Sequence, residues 1–587
     1  MAGLALTLAA CTGEVLGTSS GGGSGGRPTN SGGNNGGGGN GGVAPPAEPC
    51  TGAADPRLVV APQRFLRLTA AEYVNSIRVI INDVEGDAIM QQAALRDRLL
   101  PAVRKFPPLV GEADNIIGSE YTNLDLFADH AAKYVAANFG TATGCAVPAT
   151  DACATQWLNQ RAALAYRRPL TTAEQTRFTA LYNKLKNQDV NGYQVTTTVE
   201  EATGFAVYAL LSSPQFLWRS ELGLGQTAST SPAGVPLSDL ELASHLSFFL
   251  TDRPPDTMLM AAATGNTLRT NLRTHVDRLL GAQVTKDWLT TVIETNYALN
   301  QLPDITVDPG KFPEWNTELM AGMLEEANRF LKGALWGGGP LTDIFLSRRA
   351  TLNALLANQI YKVPVPAGAA TWFDVTLPSD QRSGILTNAA FVTARARSTG
   401  LGLVVPRGRI VVAAILCMPP NPPPDDITAV VEAAKASIAT TTAQQQVASR
   451  KAGLCGTCHN QFDAYGLVLE YYDNLARYRT TDHLNMPVDG RTTLPELLGG
   501  GEVTSAIDLA EKLAASPAFT NCMATTLLQY ALVDFSAPVE LPALPKTAGC
   551  ASADVVARFN GGTSKTFSDL VRATTSTPAF VLRQALQ

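Results

Sequence analysis

Apolar residues recur at three- and four-residue intervals along most of this chain, and several such runs open on a polar residue able to close a first helical turn. Thr69-Ala-Ala-Glu72 stands in front of Tyr73, Ile77, Ile80 and Ile81; Thr171-Thr-Ala-Glu174 in front of Phe178 and Leu181; Ser238-Asp-Leu-Glu241 in front of Leu242, Leu246, Phe249 and Leu250. In each, the hydroxyl can accept from the third amide of the turn while the glutamate reaches back, so the spacing predicts three capped amphipathic helices. The same periodicity continues through Trp288–Leu299 and Leu319–Leu331, loosens from Gly368 to Arg407, and returns at Arg409–Cys417 as a buried helix halted by Pro419-Pro420-Asn421-Pro422-Pro423-Pro424. Polar turns are expected at Asp489-Gly490 and Gly499-Gly500-Gly501, with helices from there onward. Alternating β-branched runs with hairpin turns are scarce, so the fold class is mainly α, a helical body of several modules.

The N-terminus departs from this pattern. Met1–Ala10 is apolar and ends in small residues before Cys11, the form of a bacterial lipoprotein signal in which Cys11 carries the lipid, although the run is short and has no basic residue ahead of it. Residues 12–49 are chiefly Gly, Ser and Asn, too polar to bury a core, and read as a flexible tether. Beyond it the expected modules are 50–150, 151–235, 236–365, a module 366–490 that holds a Cys-x-x-Cys-His run and a C-terminal helical module 491–587.

Length and charge narrow the classes. With 587 residues, 45% hydrophobic, the chain can bury several cores. A net charge of -6 without a dense Lys/Arg run gives no surface for nucleic acid. The longest internal apolar stretch, Ile410–Met418, is too short to cross a bilayer, so membrane contact is expected through the lipid anchor only.

The chemistry concentrates in Cys455-Gly-Thr-Cys458-His459. On a helix, thiols three residues apart share a face and the next residue can bring an imidazole toward the same ligand, which is what covalent attachment of one haem c requires: two thioethers and one axial nitrogen, from His459. A disulfide or dithiol at Cys455 and Cys458 is the alternative, and zinc would need further ligands. Met486 is the candidate sixth ligand, with His483 behind it, against the simpler reading of a methionine filling a gap beside Pro487. Arg477 and Arg479 could pair with haem propionates, or instead with Glu470 and Asp473. Phe462–Asp473 could wall one face of the macrocycle or form a small core. His130, His245 and His275 lie on helical stretches away from the motif and read as structural. Excluding Cys11, Cys455 and Cys458 leaves six cysteines, for which the expected pairs are Cys145–Cys153, Cys522–Cys550 and, by elimination, Cys50–Cys417.

Several phrases together resemble a large family of exported bacterial proteins built from consecutive domains of unknown function and called planctomycete-cytochrome-associated: Arg67–Tyr73, Tyr166–Leu170, Ser213–Glu221, Leu242–Leu250 with Pro254–Asp256, Arg382–Thr387, Pro406–Gly408 and Cys455–Arg479. The resemblance implies an α-rich exported protein carrying a haem motif and implies no reaction. Ala464 stands where that family tends to have proline, Ala476 where glycine is usual, and His245 where a basic residue is common. The expected function is therefore an exported, lipid-anchored c-type haem protein, in the periplasm or at the cell surface on the outer membrane, passing electrons to a redox partner protein or a small donor or acceptor, or running a haem-dependent oxidoreductase reaction. The alternative is a non-catalytic envelope scaffold with a Cys455–Cys458 disulfide that binds a glycan or protein partner.

Overall fold

The computed structural model describes residues 63–82, 118–190, 193–230, 233–418, 436–532 and 546–584, with the isolated positions 420 and 432. Cys11, the tether and Cys50 lie outside them. The described chain is mainly helical, with sheets of only two or three short strands, and no helix in it is long and apolar enough to cross a membrane.

The first half is built from β1 (Arg64–Arg67), α1 (Ala70–Ile81), α2 (Gly118–Ala137), α3 (Asp151–Tyr166), α4 (Thr172–Lys186), α5 (Val199–Leu211) and β2 (Trp218–Glu221). The boxes at Thr69 and Thr171 close as expected, each hydroxyl accepting from the glutamate amide and each glutamate from the threonine amide. One face of α1, with Tyr73, Ile77, Ile80 and Ile81, packs with Phe127, Trp157, Leu210 and Phe216 into a first core. Each such buried aliphatic side chain contributes about 1.5–3 kcal/mol. β1 pairs antiparallel with β2, Arg64 opposite Glu221.

β3 (Ala233–Pro236) leads into α6 (Asp239–Thr251), whose Ser238–Glu241 box also forms. This helix is not amphipathic in place. Residues 241–251 are all buried, because Phe248 enters the first core while Leu242, Leu246, Phe249 and Leu250 enter a second, larger one. A helix covered on every side must satisfy its polar groups internally; Glu241 accepts from the amides of Ser238, Leu222 and Leu224.

The second core runs from Leu237 to Phe580. It includes α7 (Thr317–Trp336) and α8 (Val404–Ile410), which continues as a buried π-turn over Val411–Ile415 and ends at Cys417. Next come α9 (Ala443–Arg450), α10 (Gly453–His459), α11 (Asp463–Leu467) and α12 (Pro517–Leu532). β4 (Leu582–Arg583) closes the fold by pairing with β3. The expected turn at Gly499-Gly500-Gly501 is present, all three in the left-handed region.

The disulfides are in part as expected. Cys145 and Cys153 are joined. Cys417 is joined to Cys522, 105 positions away, so neither Cys522–Cys550 nor Cys50–Cys417 forms. The end of α8 meets the first turns of α12, and proximity in the fold, not bracketing in the sequence, chose the partner.

Candidate functional site

α10 carries the whole motif on one short helix that is exposed on one side only. Cys455 and Cys458 are half-buried and neither is in a disulfide, which corrects the scaffold alternative on that point. Leu454, 51% exposed, lies beside them, an apolar side chain left in water at the edge of the thiol face. His459 turns inward and is buried. Its Nδ1 lies 3.0 Å from Oδ1 of the buried Asp463, whose Oδ2 accepts from Arg450 Nε at 2.9 Å. Three consecutive helices thus each supply one member of a line Arg450, Asp463, His459.

What holds α11 in place is close backbone contact. A Cβ on Gly466 would sit 1.8 Å from the carbonyl oxygen of Val404, and one on Gly408 would sit 2.1 Å from that of Phe462, so α8 and α11 cross at two glycines where no side chain fits. Beside the crossing, Arg407 is fully buried and donates to the carbonyls of Leu469, Tyr472 and Asp473. Burial lowers its pKa to about 10, which leaves it charged at neutral pH. Arg382 does the same for Thr387 and Ala476, with its guanidinium between the rings of Tyr361 and Tyr472. Ala476 occupies a left-handed conformation (φ 63°), which is why glycine suits that position better; the departure from the family pattern leaves the turn in place.

Other expected roles fall differently. Phe462, Tyr465, Val468, Leu469 and Tyr472 belong to the second core, so this segment is a core element and not a wall kept open for a macrocycle. Both candidate propionate ligands are taken by carboxylates: Arg477 by Asp473 at 2.6 Å and Glu314 at 2.8 Å, Arg479 by Glu470 at 2.8 Å. Met486 is 52% exposed on a turn in which Asp482 accepts from its amide, so it fills no gap; His483 on the same turn is exposed too. Among the described residues no group of three His, Cys, Asp or Glu converges as a metal site made of protein ligands alone. His130 and His275 lie on separate helices remote in sequence from the motif. His245 lies 2.9 Å from Glu221 and against Phe580, and burial lowers its pKa to about 4. Burial would raise Glu221, but Arg583 and Arg64 hold it well below the usual carboxylate range.

One buried acid lies outside every motif. Glu326 of α7 is 1% exposed, accepts from Asn388 Nδ2 at 2.6 Å, and lines a small cleft together with Ser347, Arg349, Arg382 and Gly384. Its sequence signal was position: it follows Met323 by three and precedes Phe330 by four, on the apolar stripe. Burial pushes its pKa up to about 8 from an ordinary 4.5. Between those values the folded chain keeps a proton that the unfolded chain has released, so stability is lost as pH rises through the window, by about 1.4 kcal/mol for each step of one in pH and a few kcal/mol in all. Melting followed by circular dichroism from pH 5 to 8 is expected to show this decline, and Glu326→Gln, which keeps the acceptor for Asn388, to remove it. A decline of equal size in the variant rejects the assignment.

Three family models match successive parts of the chain, each described as a protein of unknown function: PSD5 (DUF1595) over residues 153–221, PSD4 (DUF1592) over 237–363 and PSCyt3 (DUF1588) over 382–482. No curated protein and no solved structure matches. The PSCyt3 segment contains Arg382, Arg407, the Gly408–Gly466 crossing and all of α9–α11.

Proposed function

The chain belongs to the planctomycete cytochrome-associated families of unknown function whose models it matches in order, and on that premise we propose that it is an exported c-type haem protein that passes electrons. Cys455 and Cys458 would hold one haem covalently and His459 would bind its iron; the group would supply a one-electron redox couple. The observation that carries this reading is α10 itself: two accessible thiols one turn apart, followed by an imidazole whose orientation is set by a buried carboxylate.

Two further points support it. The name PSCyt3 associates the matched segment with cytochromes. The disulfides Cys145–Cys153 and Cys417–Cys522 suit an oxidising compartment, which is where haem is joined to such motifs. Cys11 would then anchor the protein to the outer membrane by lipid, and the partner would be a redox protein or a small donor or acceptor.

The test is full-length chain made together with haem-attachment machinery. One covalent haem per chain by intact mass, and a Soret band that survives denaturation, are expected. Folded protein with no added porphyrin overturns the reading and leaves a tethered helical protein that binds a partner in the envelope.

A further inference from the structure

Independently of any haem, we propose that the cleft lined by Glu326 and Arg382 binds the carboxylate of a small organic acid. Both side chains are 1% exposed, and each has a donor to spare. Asn388 uses Oδ1 to cap the helix Ala389–Thr393, accepting from the amides of Ala390 and Phe391, so Nδ2 is the atom it turns to Glu326 Oε2. The Tyr361 hydroxyl accepts from the amide of Ala389 and makes one contact with Glu326. Burial keeps the Glu326 carboxyl protonated at neutral pH, its pKa raised to about 8. Tyr361 and Glu326 then hold two O–H groups with one contact between them, so one proton is left over whichever way that contact runs. Arg382 donates through Nη1 to Thr387 and through Nη2 to Ala476, both at 2.8 Å, while its buried Nε has no partner. Native structures rarely leave such a donor unmet.

Charge and size narrow the guest. Arg348 and Arg349, both exposed, line the same cleft, and Glu326 is the one acid among its lining residues. With that acid neutral, the lining is cationic. A group that only accepts and carries negative charge answers both spare donors, and an ionised carboxylate is such a group. The cleft encloses about 230 Å³, its open mouth included, less than the roughly 300–1,000 Å³ of sites that take drug-sized ligands, so the acid is a small one. Glu326 and Tyr361 belong to the segment matched by PSD4, and Arg382 and Asn388 to the one matched by PSCyt3. A guest would therefore touch both segments, and ligand sites favour such junctions.

The experiment titrates the full chain with sodium acetate in a calorimeter at constant ionic strength. Saturable uptake of one acetate is expected at pH 6.5, and none of chloride or phosphate. Above about pH 8 Glu326 ionises and its charge repels the guest. The groups facing it are Arg382 and Tyr361, and burial raises the Tyr361 phenol well above its ordinary value, so it stays neutral there. Affinity is therefore expected to fall about tenfold between pH 6.5 and pH 9. Glu326→Gln, which offers an N–H in place of the O–H and keeps the acceptor for Asn388, is expected to bind at pH 6.5 and to show no such fall. Arg349→Gln, a change at an exposed position, should weaken uptake at both pH values. No uptake at pH 6.5, equal uptake of phosphate, or undiminished affinity at pH 9 overturns the proposal. A fall in Glu326→Gln as large as in the wild type places the acetate elsewhere and overturns it as well. Hydrogen exchange with and without acetate locates the guest: slower exchange across residues 383–388 is expected, and slowing confined to other segments rejects this cleft.

Discussion

Alanine at Gly466 is expected to detach the segment that carries Asp463 while leaving the first half of the molecule folded. Its methyl group would lie 1.8 Å from the Val404 carbonyl oxygen and close to the Gly408 amide, and both neighbours are backbone, so no rotamer change relieves the clash. Overpacking of this kind costs about 1–3 kcal/mol, and more when the obstacle cannot yield; a value of about 3 kcal/mol or above is expected here. The helices must part by an ångström or more, which pulls Asp463 from His459. Hydrogen exchange of the full chain should show lost protection across residues 404–410 and 459–473, with residues 124–217 unchanged. Gly333→Ala on α7 is the control: nothing lies within 4 Å of the added methyl, and a gain of about 0.5–1 kcal/mol is expected. Equal protection in Gly466→Ala and wild type would show that the crossing is not close-packed.

Loss of the Arg407 fork is expected to cost nearly as much. Three carbonyls, of Leu469, Tyr472 and Asp473, accept from two nitrogens of one buried guanidinium. Arg407→Lys keeps the charge but brings a single nitrogen on a flexible stem, which cannot reach all three acceptors. About 2–3 kcal/mol is expected for lysine; Arg407→Ala, which orphans every acceptor, should approach about 3–5 kcal/mol. Urea denaturation followed by Tyr and Trp fluorescence, with exchange at 468–479 to localise the change, measures both. A lysine variant as stable as wild type would mean that water serves these carbonyls as well as the arginine does.

These two sites also explain which features were readable in advance. The boxes at Thr69, Thr171 and Ser238 were legible because each is a contact three residues long. Cys145–Cys153 was legible for the same reason, at a separation of eight. Cys417–Cys522 was not, since it depends on where the end of α8 meets α12. Arg167, Arg382 and Arg407 stood inside the phrases that carry the family resemblance, yet their role was hidden because their partners are carbonyls, which every residue has. Arg167 donates to Gln215, Phe216 and Trp218, Arg382 to Ala476, and Arg407 to residues 469–473, so one recognisable phrase grips another. The resemblance was largely a set of instructions for joining segments. The Cys455–His459 motif was legible as a pattern, but its carboxylate needed the turn between α10 and α11 to bring residue 463 back onto residue 459. For Arg477 and Arg479 local charge gave the right answer: the nearby carboxylates took them.

The ion cluster around Glu221 has a consequence in time. Arg64 precedes it by 157 positions, whereas Arg583 follows it by 362. At about 5–20 residues per second, a growing polypeptide presents this glutamate for roughly 20–70 s before the second arginine has been made. Throughout that interval the N-terminal half can collapse but has an anion short of one neutralising neighbour. Complete pairing of Glu221 therefore waits for the last residues of the chain.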